Sequence, residues 1–369
     1  MSMLEIERVS KVYKSGTFGG GIKYALRRVS FDIEKGEVVS LIGESGSGKS
    51  TLGKVILRLI PLSGGRVTFE GTDISTLKKK SLHEYYRNVQ GVFQDPFSTY
   101  NPLYKADRVF EMLRQEYFPH LGQQEWEHKL DSALETVALN PADTLNKFPH
   151  QLSGGQLQRL LVARALLLEV KLLVADEIIS MLDASTRVDV LNLLVSLKKR
   201  GLAVLFITHD LSLGNYISDR TIILRQGAVM EMGVTDKVFG NPQHSYTRSL
   251  LTAVPQLHRK WQQVESDLLP ESAHPNGSDG GPEAAGTDPA GADPDGTGSR
   301  RYSKSPLHPA RKSSVLPEGP GPRPSLMDIE NAPWQRRGAR AAKLDERVPD
   351  EAPPELVEIE KGHFVAVEG

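Results

Sequence analysis

Residues 37–60 read EVVSLIGESGSGKSTLGKVILRLI, and this stretch decides the fold. Its first six residues are mostly apolar, which is typical of a buried strand, and TLGKVILRLI has the pattern of a helix. Between them, residues 43–50 fit the phosphate-loop pattern of two fixed glycines followed by Lys-Ser. A chance Gly-Ser loop is the alternative, but the strand before it and the helix after it favour a phosphate loop.

Each part of this loop has a physical role in holding phosphate. Glycines let the backbone turn so that its N–H groups point at an anion, and the helix beginning near Lys49 adds its positive N-terminal end. We expect Lys49 to reach the β- and γ-phosphates and Ser50 to ligate Mg²⁺. The residues predicted to contact the nucleotide here are Gly43, Glu44, Ser45, Gly46, Ser47, Gly48, Lys49, Ser50 and Thr51.

A second motif is LLVADE at residues 172–177, where an apolar strand delivers Asp176 and Glu177 at its carboxyl end. Open α/β sheets bind their ligands at that end, so one carboxylate could hold the metal shell and its neighbour could polarise water. Apolar strands that end in Asp-Glu also occur by chance. The motif supports a nucleotide site only because a phosphate loop precedes it in the chain. With AVLFITHD at residues 203–210, these strand-loop-helix units predict a parallel sheet covered by helices.

A third motif, LSGGQ at residues 152–156, opens the apolar helix LQRLLVARALLL. Ser153 and the two glycines supply a hydroxyl and open backbone at a helix N-terminus, which suits an anion. A plain serine N-cap with a glycine-rich turn is the alternative. The position of the motif shortly before the Asp176 strand favours the anion-binding interpretation.

Composition excludes several classes of function. The net charge of the 369 residues is -1, so nothing global favours a nucleic-acid partner. The absence of cysteine excludes disulfides, thiolate metal sites and cysteine nucleophiles. The first residues, MSMLEIERVSKVYK, lack the apolar core of a signal peptide, so we expect no export. The most apolar stretch, at residues 160–176, is interrupted by Arg164, Glu169 and Lys171, so we expect no membrane span.

Patterning divides the chain into three parts. In residues 1–257, apolar and polar segments alternate as they do in a packed domain. Apolar residues at helical spacing predict an inserted helical subdomain at about residues 103–165. Residues 258–350 are dominated by Gly, Pro, Ser, Asp and Ala, which predicts a disordered linker. Residues 351–369 include LVEIEKGHFVAVEG, which has the alternation of two short strands around Lys361-Gly362. These strands would dock on the domain as a small sheet, although chance alternation is as good an explanation.

The chain resembles the nucleotide-binding subunits of ABC transporters, and within them the oligopeptide, dipeptide and nickel importer family. The matching segments are ALRRVSF, IGESGSGKSTLGK, VFQDPFSTYNP, LSGGQLQR, SMLDAS, ITHDL, NPQHSYTRSLLTAVP and PPELVEIEKGHFVAVE. TLGKVILRL is more similar to the second of that family's two paralogous ATPases. The resemblance implies a phosphate-loop α/β fold with a parallel core sheet, an antiparallel β subdomain and an inserted helical subdomain.

The resemblance also implies roles for single residues. Tyr13 would stack on the adenine of ATP, unless it is an ordinary strand aromatic, and Gln94 would contact Mg²⁺ or the attacking water and sense the membrane subunits. Asp176 would hold Mg²⁺, Glu177 would act as the base, and His209 would bridge to the γ-phosphate. Asp183 would link the two sites of a dimer. The signature residues that would contact the partner's ATP are Leu152, Ser153, Gly154, Gly155 and Gln156.

The implied function is an ATP-hydrolysing motor for uptake of peptides, nickel or oligosaccharides. The implied partners are a paralogous ATPase subunit, two permeases and a solute-binding protein, at the cytoplasmic face of the cell membrane. Two alternatives remain: a structural subunit with a weakly active site, and a soluble ABC ATPase that acts on nucleic acid or the ribosome. Ile178 and Ile179, where the family has Pro and a small residue, are the one feature that favours weak activity. Without cysteine, the iron–sulfur site of many relatives is not expected.

Overall fold

The computed structural model describes residues 2–14, 21–180, 182–253 and 353–367. Within these ranges the chain forms two β-sheets surrounded by helices, so the predicted α/β class is confirmed. Residues 258–350, for which the sequence predicts disorder, lie outside the described ranges. In the described part of the chain, no helix combines the length and the apolar character that a membrane span needs.

The strands belong to one four-stranded and one eight-stranded sheet. They are β1 (Leu4–Lys14), β2 (Ile22–Ile33), β3 (Val38–Ile42), β4 (Gly64–Phe69), β5 (Thr72–Asp73), β6 (Val89–Val92), β7 (Leu172–Asp176), β8 (Ala203–Thr208), β9 (Arg220–Arg225), β10 (Ala228–Val234), β11 (Glu355–Glu360) and β12 (His363–Val367). The smaller sheet has the order β2-β1-β4-β5 and is antiparallel throughout. It is the antiparallel subdomain that the family resemblance implies.

The larger sheet has the order β11-β12-β10-β9-β3-β8-β7-β6. Its strands from β9 to β6 run parallel, and every residue of β3, β7 and β8 is buried. Parallel strands covered on both faces need continuous apolar runs, which explains why these segments lack alternation. Ile42 is in register with Thr208, and Asp176 with Ile207, so the three strands end level. The loops that follow them therefore lie side by side at one edge.

Helices cover both faces of this sheet. They are α1 (Lys49–Ile56), α2 (Lys79–Asn88), α3 (Pro96–Thr99), α4 (Arg108–Tyr117), α5 (Gln123–Thr136), α6 (Pro141–Thr144), α7 (Gly154–Leu167), α8 (Ala184–Lys199), α9 (Leu211–Ile217), α10 (Thr235–Gly240) and α11 (Ser245–Thr252). The helix predicted through Ile60 ends at Ile56, since Arg58 adopts φ 54, outside the helical region. Helices α3 to α7 lie between β6 and β7, and α4, α5 and α7 contribute Phe110, Leu134 and Leu157 to one core.

The last described residues form a β-hairpin. Strands β11 and β12 pair antiparallel around a turn at Lys361-Gly362, where Gly362 has φ 73. Strand β12 also pairs antiparallel with β10, with Glu231 opposite Val365 and Met232 opposite Phe364. The hairpin therefore extends the eight-stranded sheet rather than forming a separate sheet.

Candidate nucleotide site

The phosphate loop connects β3 to α1 and packs closely against the backbone of β9 and β2. Gly48, which immediately precedes α1, has φ 108, and Gly46 has φ 83. Both values lie where L side chains are strained. A Cβ on Gly43 would lie 2.1 Å from the Leu224 carbonyl oxygen, and one on Gly48 would lie 2.4 Å from that of Ala25. The glycines therefore allow the loop to lie directly against neighbouring backbone.

Lys49 is folded back over this loop. Its Nζ donates to the carbonyl oxygens of Gly43, at 2.7 Å, and Glu44, at 2.8 Å. Burial lowers the pKa of Lys49, while the negative charges of Glu177, Asp176 and Glu44 act in the opposite direction. An ammonium held by two neutral carbonyls can exchange them for phosphate oxygens, which are stronger acceptors.

Asp176, at the end of β7, lies against the start of α1. The Ser50 hydroxyl donates to its Oδ1 at 3.2 Å. Burial raises the pKa of Asp176, and the bond from Ser50 partly offsets the shift. A hydroxyl and a carboxylate are the hard oxygen ligands that Mg²⁺ prefers, so this pair has the chemistry of the predicted metal site.

Glu177 follows directly and is paired with His209. Glu177 Oε1 lies 3.0 Å from His209 Nδ1, and the Glu177 N–H donates to the Ile207 carbonyl oxygen at 2.9 Å. Glu177 has φ 51, a left-handed conformation that few residues adopt. Backbone strain of this kind clusters at functional sites, and here it occurs at the residue that contacts His209.

Ile178 and Ile179, which replace the family's Pro and small residue, are buried in the core that includes Phe206 and Leu173. The turn is closed instead by Ser180, whose N–H and hydroxyl donate to the Glu177 carbonyl oxygen at 3.1 and 2.9 Å. The apolar pair thus has a packing role, and Glu177 still meets His209.

Most of the predicted nucleotide residues line one open cavity of about 720 Å³. Its lining is Tyr13, Lys23, Ala25, Ser45, Gly46, Gly48, Lys49, Ser50, Thr51, Gln94, Glu177 and His209. Lys23 and Ala25, on β2, were not predicted, because no local pattern marks a strand residue as facing a distant loop. Tyr13 is half-exposed, with Lys11 Nζ 5.2 Å from its ring centroid. Ser47 has a buried Oγ with no hydrogen-bond partner among the described residues.

The signature residues and Asp183 do not line this cavity. Ser153 is the N-cap of α7: its Oγ accepts from the Gln156 N–H at 3.2 Å, and its own N–H donates to Gln156 Oε1 at 2.9 Å. Asp183 is the N-cap of α8 and accepts from Ser185 Oγ at 2.6 Å and Thr186 Oγ1 at 2.8 Å. These bonds, with one from the Thr186 N–H, hold the pKa of Asp183 well below its usual value.

Leu152 is buried beside this turn, and Gly154 begins the helix. A Cβ on Gly155 would lie 2.8 Å from Thr186 Cγ2, so the two N-terminal turns are in close contact.

Comparisons with known proteins identify the family. A model described as ABC transporter matches residues 26–180, and one described as oligopeptide/dipeptide transporter, C-terminal region, matches residues 230–278. A putative peptide import ATP-binding protein of Brucella ovis is 42% identical over 255 residues, covering 68% of this chain and 80% of that protein. The oligopeptide transport ATP-binding protein OppF of Streptococcus mutans is 42% identical over 255 residues, covering 69% of this chain and 82% of that protein.

The fold is also shared with solved structures. The ATP-binding cassette MJ0796, in a dimeric post-hydrolysis state bound to ADP and Pi, superposes with a TM-score of 0.57 at 32% identity. The match covers 63% of this chain and 99% of that cassette. The chain therefore belongs to the ABC transporter family, as an ATP-binding and ATP-hydrolysing subunit of the oligopeptide/dipeptide type.

Proposed function

We propose that this chain drives the import of peptides by coupling ATP binding and hydrolysis to membrane permeases. The observation that carries the proposal is the meeting of Lys49, Gln94 and the Glu177–His209 pair around one cavity. The relatives named for peptide import favour peptides over the nickel and oligosaccharides of the wider family. The work would take place at the cytoplasmic face of the membrane, where the permeases would hold a subunit of this kind.

Within the cavity the residues have separate roles. Lys49 and the loop N–H groups would hold the β- and γ-phosphates, and Tyr13 would stack on adenine. Ser50, Asp176 and Gln94 would hold Mg²⁺, which neutralises phosphate charge when it is bound. Glu177 would accept a proton from the attacking water, with its carboxylate oriented by His209.

The signature turn would serve the ATP of a second chain. Ser153 and its neighbours lie outside the lining of this chain's own cavity, while the hydroxyl and helix N-terminus there suit a phosphate. Two chains arranged head to tail would each complete the other's site, with Asp183 between them. The partner would be a paralogous ATPase, as the TLGKVILRL segment favours.

The segment after Gln94 would contact the permeases. Phe97, Leu103 and Tyr104 expose 46%, 79% and 44% of their surface, which is high for large apolar side chains clustered in one segment. Gln94 lines the ATP cavity at the start of this segment, so closure around ATP would reach the permeases through it. A solute-binding protein would deliver the peptide from the opposite side of the membrane.

The test is Glu177→Gln, and Glu135→Gln is the matched control because Glu135 is exposed. Loss of the base should lower turnover roughly 10²–10⁴-fold, while ATP binding persists and a closed dimer accumulates in ATP, measured by phosphate release and light scattering. Lys49→Ala should weaken ATP binding itself. Turnover by Glu177→Gln within a few-fold of the parent would remove Glu177 from the role of base. Negligible turnover by the parent with its partner would instead favour the weakly active structural subunit.

A further inference from the structure

One motif has no role in the nucleotide site described above. The segment NPQHSYTRSLLTAVP begins at Asn241, and its described part contains α11. His244 caps this helix, since its Nδ1 accepts from the Tyr246 N–H at 3.0 Å. A histidine cap fixes where the helix begins, and therefore where the Tyr246 side chain points.

The start of α11 is fixed to a buried carboxylate on β10. Glu231 is completely buried, and its two carboxylate oxygens accept from the N–H groups of Gln243, at 2.9 Å, and His244, at 3.0 Å. Its Oε1 also lies 2.8 Å from Nε2 of His363, which is itself only 2% exposed. Buried carboxylates require such partners. Among the described residues, the terminal hairpin thus supplies one of the three groups that hold Glu231.

From this anchored helix, Tyr246 reaches the phosphate loop. The Glu44 N–H donates to the Tyr246 hydroxyl at 3.4 Å, and Tyr246 is 6% exposed. The opposite side of the same residue is also held, because the Glu44 carbonyl oxygen accepts from Lys49 Nζ at 2.8 Å and from the Ser47 N–H at 3.2 Å. Burial raises the pKa of Tyr246, which keeps its hydroxyl protonated near neutral pH.

A second contact joins the same region to the loop. The Gly227 N–H, in the turn between β9 and β10, donates to the Ser47 carbonyl oxygen at 2.8 Å. The residue immediately before β10 therefore contacts the loop, and Glu231 lies at the centre of that strand. A displacement of Glu231 would be transmitted to both halves of the loop.

We propose that Tyr246 is a positioning residue for the phosphate loop, and that the terminal hairpin holds it in place through His363 and Glu231. The hydroxyl fixes the Glu44 peptide while Lys49 exchanges its carbonyl contacts for phosphate. The two residues of the segment thus have separate roles, since His244 caps helix α11 and Tyr246 holds the phosphate loop. This inference rests on the proposed nucleotide site.

The first experiment compares Tyr246→Phe with Tyr216→Phe in the full chain, by titration of a fluorescent ATP analogue. Tyr216 is a matched control, since its hydroxyl contacts Asn192 at 3.0 Å on an exposed surface. Loss of one hydrogen bond to the loop should weaken binding about two- to tenfold, with kcat for the closed dimer less affected than KM. Unchanged affinity and KM in Tyr246→Phe would overturn the inference.

The second experiment tests the route through the hairpin. His363→Ala should weaken ATP binding in the parent and have little further effect when combined with Tyr246→Phe, whereas Val367→Ala, on the exposed end of β12, should have no effect. Additive losses in the double variant would contradict a shared route. If His363→Ala fails to fold, Tyr246→Phe still decides the positioning role, and the same double-variant comparison with the milder His363→Gln decides the route through the hairpin.

Lys49→Ala serves as the reference for the site itself. Undiminished binding by Lys49→Ala would refute the nucleotide site. Weak binding by Lys49→Ala with normal binding by Tyr246→Phe would refute only the positioning role.

Discussion

Two glycines of the phosphate loop should respond differently to the same substitution. Gly46 has φ 83, and among the residues that the structure describes no heavy atom lies within 4 Å of an added Cβ. Gly48 has φ 108, and its added Cβ would lie 2.4 Å from the Ala25 carbonyl oxygen and 3.1 Å from Leu26 Cδ2. Gly46→Ala therefore introduces backbone strain alone, whereas Gly48→Ala introduces backbone strain and a clash with β2.

The two costs can be estimated separately. A left-handed conformation at alanine costs about 1–2 kcal/mol, which is the whole expected destabilisation for Gly46→Ala. Overpacking adds about 1–3 kcal/mol, so Gly48→Ala should lose roughly 2–5 kcal/mol. In a domain of this size each kcal/mol lowers Tm by about 2–4 °C. Both variants should therefore fold, with Gly48→Ala the less stable.

Urea unfolding and ATP titration together test this reasoning. Gly122→Ala is the control, because Gly122 precedes α5 with φ -60 and an added Cβ there would meet no neighbour in the described part of the chain. Gly46 lines the proposed ATP cavity, so its added methyl should weaken ATP binding by more than its small loss of stability would suggest. Equal destabilisation by Gly46→Ala and Gly48→Ala would refute the packing argument.

Three further outcomes are expected. Asp176→Asn should raise Tm at neutral pH, because burial raises the pKa of Asp176 and so disfavours its ionised form in the folded state. Calorimetry should show that this gain in Tm vanishes when the pH falls below the ordinary aspartate pKa of about 3.9, where the carboxyl is protonated in both states. ATPase activity per subunit should rise steeply with concentration or added partner, and constant activity from a demonstrated monomer would exclude a site shared between two chains. Replacing residues 265–350 with a short Gly-Ser linker should leave Tm nearly unchanged, given their composition; a large fall would show that they pack.

The nucleotide edge of the sheet could be predicted because its signals are local. The apolar runs that became β3, β7 and β8 are each followed directly by their polar residues. Parallel strands place their carboxyl ends at the same edge, so the neighbourhood of Lys49, Asp176 and His209 follows from strand assignment alone. In agreement with this expectation, Lys49 and His209 both line the cavity, and Asp176 is linked to it by a hydrogen bond from Ser50, which is also a lining residue.

The support of the loop could not be predicted, because its partners are far apart in sequence. Tyr246 and Glu44 are separated by 202 positions, and His363 and Glu231 by 132. Alternation suggested strands at residues 356–369 but could not identify β10 as their neighbour. A glutamate within an apolar strand, VMEMGV, was the available signal, since a buried carboxylate requires partners. Nothing local indicates which residues those partners are.

The turn after Glu177 illustrates a different limit. Family comparison made Ile178 and Ile179, which stand where the family has Pro and a small residue, a departure that favours weak activity. The structure buries both side chains in the core and closes the turn through Ser180. Packing can therefore replace the conformational restriction of proline. The effect on turnover remains a prediction, tested by the parent's activity with its partner.

The two interpretations of the LSGGQ turn, a helix cap and an anion site, are compatible. A serine hydroxyl has one donor and two acceptor sites, and the cap of α7 uses the Ser153 oxygen as an acceptor from the Gln156 N–H. The cap therefore fixes the side chain without using its O–H, which can still donate to a phosphate. Gly155 in turn contacts Thr186, whose N–H and hydroxyl donate to Asp183. The signature turn and the Asp183 turn are thus held together within one chain. A partner's nucleotide would meet both as a single preformed surface, so Gly155→Ala, which would displace Thr186, should weaken the response to a partner without changing ATP binding by the isolated chain.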